Sequence, residues 1–222
     1  MVDRMPEWMK RYFSKPRLKP YLRAAGGDPQ AAMRLYRWNV EASAALYAPL
    51  QCVELAVRNA LHDCLVTKYG RPDWWKVAPL ERGGLDLVAK AEKKCADNEK
   101  RRAKEQKRRR RPITVDDVVT ELTFGFWATL LVSRYDRAFW VPTLHKAFPY
   151  AGRRDDLYDD LWAVVGLRNR VMHHEPIHQE DPGAAHARIY RVLEALSPDL
   201  AKEVEAMDGF PAVLARKDDP LE

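Results

Sequence analysis

The chain has 222 residues, 46% hydrophobic and 32% charged, with a formal net charge of +6. A chain of this length and apolar share can bury one core without disulfides or a structural metal, which excludes global disorder. No apolar run reaches the eighteen or so residues of a membrane span, and Met1 to Trp8 carries no apolar stretch of signal-peptide type. The three cysteines (Cys52, Cys64, Cys95) are scattered and form no C-x-x-C pair. They support neither a disulfide framework nor a zinc site, and a reducing, cytoplasmic setting without metal or other cofactor is expected.

Helical signals dominate in chain order. Asp28-Pro29 reads as a cap followed by a first-turn proline. Ala32, Leu35, Tyr36, Asn39, Ala42, Ser43 and Leu46 then recur at three- and four-residue steps. Pro49 restarts the pattern, which runs through Val53, Val57, Leu61 and Leu65 to a stop at Gly70. Leu85 to about Lys107 reads as a helix with few apolar and many charged positions, ending before Pro112. Thr114-x-x-Asp117 predicts a capped start for a helix through Val118, Leu122, Phe126 and Leu130. A linking segment spans about 136–149. Arg153 to about His173 is a long helix stopped by Pro176, and Ala184 to Leu196 is another. The stretch from Pro198 is helix-prone and expected to fray. No strand alternation of useful length appears. The reading is a single all-α domain over residues 1–222: a helix bundle with its core at 29–197, a basic insertion at about 90–111 and a C-terminal tail at 198–222.

The charge is concentrated. Between Lys90 and Arg111 lie 12 basic and 4 acidic residues, against 26 basic and 28 acidic elsewhere. Within this run Lys100, Arg101, Arg102, Lys104, Lys107, Arg108, Arg109, Arg110 and Arg111 are candidates for binding RNA phosphates. A solvated loop without a partner fits the same pattern.

The segment Gly166-Leu-Arg-Asn-Arg-Val-Met-His-His-Glu-Pro-Ile177 gathers an arginine, an asparagine and two histidines at one helix end. Asn169 and His173 are four apart and share a face, which Arg168 flanks. Histidine titrates near neutrality and suits proton transfer. Arginine offers a charged fork that matches phosphate. These are the parts needed to cleave RNA without a metal: a base for the 2′-OH, an acid for the leaving 5′ oxygen, and a cation for the crowded phosphorane. One helix carries one such set, and a twofold dimer would bring two together. The spacing by itself arises by chance in many chains, and the same residues can simply cap a helix terminus.

Arg168-Asn-Arg-Val-Met-His173 matches the Arg-x(4–6)-His signature of HEPN-domain ribonucleases. Three further stretches, Tyr36-Arg-Trp-Asn39 with Ala45-Leu-Tyr47, Glu54-Leu-Ala-Val-Arg-Asn59 and Phe124-Gly-Phe-Trp127, occur in the order of the Abi-like (AbiD/AbiF-type) abortive-infection proteins. Over roughly residues 35–177 the chain therefore resembles that family. The resemblance implies an all-α HEPN bundle, dimeric, acting as a metal-independent endoribonuclease toxin in phage defence or a toxin–antitoxin pair, with RNA as substrate and RNA or protein as neutraliser. It implies Arg168 and His173 as the catalytic pair, with Asn169 beside them. The basic run has no place in the family pattern.

Other polar residues are weighed beside these. Glu54 and Arg58 are spaced for an ion pair on one helix, which can serve as a structural pair holding two helices in register; in the family this helix packs near the catalytic one, so the resemblance implies that Glu54 can orient Arg168 or His173. His174 lies about a hundred degrees of helical rotation from His173 and is a second proton carrier if the helix end unwinds. His62 has no obvious partner and reads as a packed or surface histidine. Phe124-Gly-Phe-Trp127 reads as core rather than as a base-stacking platform, and Trp74-Trp75 as a core lid or dimer contact. The alternative to a nuclease is a non-catalytic RNA-binding module within a protein–RNA complex.

Overall fold

Three helices begin with the same pair, an oxygen-bearing residue followed by proline: Asp28-Pro29, Asp181-Pro182 and Ser197-Pro198. Each side-chain oxygen accepts a first-turn amide: Asp28 from Gln30 at 2.9 Å, Asp181 from Ala184 at 3.0 Å, Ser197 from Leu200 at 3.3 Å. Proline at the next position costs the helix no hydrogen bond.

In the computed structural model, which describes residues 5–217, all regular structure among the described residues is helical. The α-helices are α1 (Glu7–Phe13), α2 (Lys15–Ala24), α3 (Pro29–Ala45), α4 (Tyr47–Tyr69), α5 (Arg82–Glu105), α6 (Val115–Glu121), α7 (Phe124–Thr129), α8 (Arg154–Met172), α9 (Pro182–Leu196), α10 (Pro198–Glu205) and α11 (Phe210–Ala215). Short 3₁₀ turns and one π turn carry the chain over residues 133–147. No helix among the described residues is long and apolar enough to cross a membrane.

α4 is the central element. Leu50, Val53, Val57, Leu61 and Leu65 fall at three- and four-residue steps and are wholly buried. Buried side chains of this size contribute roughly 1.5–3 kcal/mol each. They meet Leu161 and Val164 of α8, Ile189, Val192 and Leu193 of α9, and Phe124, Phe126 and Trp127 of α7 in one continuous core. The aromatic segment is therefore core, as its spacing predicts. Trp74 packs against Phe126 and Trp127, and its indole N–H donates to His62 Nδ1 at 3.1 Å. That bond gives His62 its partner, and burial holds its pKa below the usual histidine value.

Several boundaries differ from the sequence reading. The Thr114–Asp117 capping box forms, with both reciprocal bonds. The helix it starts ends at Glu121 instead of running to Leu130: Leu122 is extended and the Thr123 hydroxyl caps α7 through the Phe126 amide. The break lets Leu122 and Phe124, only two residues apart, both enter the core. The C-terminal stretch is not frayed over its described part. α10 buries Ala201 and Val204, and α11 inserts Phe210; Asp208 fastens the turn between them, accepting from Tyr190 Oη at 2.6 Å, His186 Nε2 at 2.5 Å and the Phe210 amide at 2.8 Å. Residues 218–222 of the expected frayed end lie outside the described residues. Before residue 29, α1 and α2 build a small second cluster of Met5, Met9, Leu18, Tyr21 and Leu22 on Ala32.

α5 shows how so charged a segment stays ordered. Its inward stripe is narrow: Val88, Ala91, Cys95, Glu99 and Ala103. Glu99 is only 4% exposed. Its carboxylate takes both Arg108 Nη atoms at 2.7 and 3.1 Å and the Arg111 amide at 2.9 Å. Arg111 in turn forks onto Asp117 at 2.7 and 2.6 Å. The loop after α5 is thus clasped to α5 and α6.

The Arg108 guanidinium and the Arg111 amide together hold the Glu99 carboxyl down at about 2. The clasp therefore acts in full above the ordinary glutamate pKa of about 4.3 and is lost as pH falls through the folded value. In hydrogen-exchange measurements the Arg111 amide should stay protected at neutral pH and lose protection on acidification from about pH 4 toward 2; Glu99→Ala should remove that protection at neutral pH.

Candidate active site at the end of α8

α8 buries Leu157, Leu161, Val164 and Val171 on one side. On the other, Asp155, Asp159, Trp162, Gly166, Asn169 and His173 form an exposed stripe at three- and four-residue steps. Arg168 leaves the helix at the edge of that stripe and reaches α4. Its Nε lies 2.8 Å from Glu54 Oε2 and its Nη2 3.3 Å from Glu54 Oε1. Nη1 points to Asn169 Oδ1 at 3.4 Å. The carboxylate of α4 thus orients the guanidinium and leaves its Nη edge beside Asn169, half-buried and open on one side. Glu54 does not pair with Arg58 along its own helix, as the i, i+4 spacing allows. Arg58 donates to Asn59 Oδ1 at 3.2 Å instead, because the fork of Arg168 fits the carboxylate with two bonds.

The helix ends abruptly. The His173 amide still bonds to Asn169 O at 2.9 Å. The His174 amide returns to Val171 O at 3.1 Å and the Glu175 amide to Arg170 O at 2.8 Å. This is a Schellman closure, and His174 takes the left-handed position usually filled by glycine, with φ 57°. A non-glycine residue there costs about 1–2 kcal/mol. Two distant contacts hold it. Arg17 of α2 donates to the His174 carbonyl. Asn39 of α3, 4% exposed, accepts the buried Ile177 amide at 2.8 Å. Losing a buried acceptor of this kind costs about 1–3 kcal/mol.

The consequence is that His173 and His174 stand at the surface, just past the last helical turn. Neither imidazole is hydrogen-bonded within the described residues, and the Glu175 carboxylate holds neither of them. The end of α8 therefore offers an oriented guanidinium, an amide and two untethered histidines within two turns of helix.

The structure joins Glu54, Arg168 and Asn169 in one hydrogen-bonded set, puts His173 one turn on, and leaves Arg58 out of it. The basic run forms a separate set on α5 and its loop. There Arg108 and Arg111 are engaged by Glu99 and Asp117. Lys100, Arg101, Arg102, Lys104, Lys107, Arg109 and Arg110 are exposed. Sequence reasoning missed two positioning residues. Asn39 carried a signal, being, with Ser43, a polar residue on a largely apolar helix face. Arg17 carried none, since it acts on a backbone carbonyl 157 residues away.

Comparison of the chain with protein-family models, with curated proteins and with solved structures finds no match.

Proposed function

We propose that this chain is a metal-independent endoribonuclease of HEPN type, acting as an Abi-like toxin, with Arg168 and His173 as its catalytic pair. The observation that carries the reading is the pairing of an arginine fixed by a carboxylate from another helix with an exposed histidine, unpartnered among the described residues, one turn on. His173 takes the proton from a ribose 2′-OH, and O2′ attacks the adjacent phosphorus. The Nη1 side of Arg168, which Glu54 leaves unengaged, steadies the charge on the non-bridging oxygens. The P–O5′ bond breaks, and the leaving O5′ takes a proton from a second acid. That acid is a histidine of a second copy apposed along the exposed stripe of α8, where Gly166 permits close approach and Trp162 offers an exposed apolar surface. His174 is the alternative donor within one chain. Asn169 positions Arg168 through the 3.4 Å contact, and Glu54 does so through its two bonds.

His173→Ala should lower cleavage of a cellular RNA pool in EDTA by about 100-fold or more, and Arg168→Ala by a similar factor, with helical content unchanged by circular dichroism. Full activity in either variant would remove the assignment.

A second reading, an RNA-binding module without catalysis, rests on the clasped loop after α5. Glu99 and Asp117 absorb two arginines as structure, and the seven exposed cations around them are spread along α5 and the loop. If these meet phosphates, affinity for single-stranded RNA falls linearly in log–log form with salt. Replacing Arg101, Arg102, Arg109 and Arg110 with Ala should flatten that slope by about 3. An unchanged slope would leave the run as a solvated loop.

A further inference from the structure

Next to the exit of α8 lies a cleft of about 370 Å³ between α3 and the last turn of α8. Its walls include Tyr36, Val40, Tyr47 and Met172, with His174 at one side. Tyr47 and Val40 are more than half exposed, an unusual placement for large apolar side chains that have core available to them. Ser43 also lines the cleft, and its hydroxyl is buried without a hydrogen-bond partner among the described residues.

We propose that this cleft is a nucleobase subsite, which holds one base of the RNA strand cut at His173. The proposal rests on the ribonuclease reading for the identity of the strand, and on the cleft itself for its occupant. Four features select a base. The volume is at the small end of ligand cavities, which run from about 300 to 1,000 Å³, and suits a planar ring with its ribose. Tyrosine rings supply faces on which a base stacks, and each stacked base contributes about tenfold in affinity. The unpaired Ser43 hydroxyl offers a buried group that a ring edge can satisfy. Among the described residues no carboxylate lines the walls, so a phosphate beside a bound base meets no like charge from them. Two other clefts lack that last property: one is lined by Glu99, Asp117 and Glu121, the other by Glu194 and Glu205.

Position joins the cleft to the chemistry. His174 borders it, and consecutive Cα atoms lie about 3.8 Å apart. A nucleotide whose phosphate is at His173 therefore has a neighbouring base within reach of the cleft. The closure that exposes His173 also places His174 on the wall of the cleft that Tyr36 and Tyr47 line, so one backbone turn sets both the reacting group and the subsite.

The test uses the four free ribonucleosides, which carry no phosphate and so do not report on Arg168 or the basic loop. Two-dimensional NMR of the full chain should show at least one of them shifting resonances of Ser43, Ala44 and Tyr47. Ala44→Trp, at an exposed position on the cleft wall, should plug the space and weaken that binding at least tenfold; Tyr47→Ala should weaken it as well. In a parallel assay, RNA cleavage by the unaltered chain should prefer one base at a fixed position beside the cut, and Ala44→Trp should erase the preference while cutting persists. Cleavage without any nucleoside response at the cleft would overturn the subsite and leave the ribonuclease reading standing. Nucleoside binding at the cleft without RNA cleavage would keep the subsite and overturn the nuclease. Shifts that survive Ala44→Trp, or that follow protein concentration in place of nucleoside, would overturn the subsite, the latter assigning the cleft to a second copy of the chain.

Discussion

The chain leaves α8 through a left-handed histidine, and the geometry of the candidate site follows from that turn staying closed. A helix continued past His173 would carry His174 round toward the next face and extend the rod into solvent. The Schellman bonds stop it, and Arg17 and Asn39 hold the stop from two other helices. The backbone strain at His174 is about the size of one buried hydrogen bond. The Asn39 bond alone is therefore enough to offset it. The same turn frees the two imidazoles, borders the tyrosine cleft, and directs the chain to Ile177, which is buried in the core.

Two kinds of arginine emerge from this chain. Arg108 and Arg111 meet carboxylates that sit in a folded groove, one of them 4% exposed, and their role is to close a loop. Arg168 also meets a carboxylate, yet Glu54 takes only its Nε and Nη2 edge, and the other edge faces outward beside Asn169. A guanidinium held in this way keeps its orientation without spending all its donors. That difference in geometry, rather than the number of charges, separates the structural cations from the one suited to chemistry. Around them, the exposed lysines and arginines of the α5 region give the molecule its positive side with few structural duties.

Much of this was legible in the sequence. Period, caps and prolines mark α3 and α8 to within a residue, and α4, α5 and α9 to within three, because those signals act locally. The Thr114–Asp117 box was read correctly for the same reason. The expectation of continuity fails at Leu122: Thr123 is a local signal, its hydroxyl capping α7, and the break puts both Leu122 and Phe124 into the core. The sequence reading expects a fraying end where α10 and α11 form, because single short helices gain stability only from what they pack against, here through Phe210. At the site, the i, i+4 spacing of Glu54 and Arg58 suggested a pair within α4, whereas the two-bond fit to Arg168 across the helix interface prevails. Asn39 was visible as a polar residue on a largely apolar face; its partner, a backbone amide 138 residues on, was not.

The central claim is that the end of α8 breaks RNA by attack of the 2′ oxygen, with His173 as base and Arg168 as the cation beside the phosphorus. The nature of the new ends tests it most directly. RNA digested by the purified chain in EDTA should carry 2′,3′-cyclic phosphate and 5′-hydroxyl termini, and an RNA with a 2′-deoxy sugar at the cut nucleotide should resist. Termini with 3′-hydroxyl and 5′-phosphate, or equal cutting of the deoxy-substituted strand, would contradict the account.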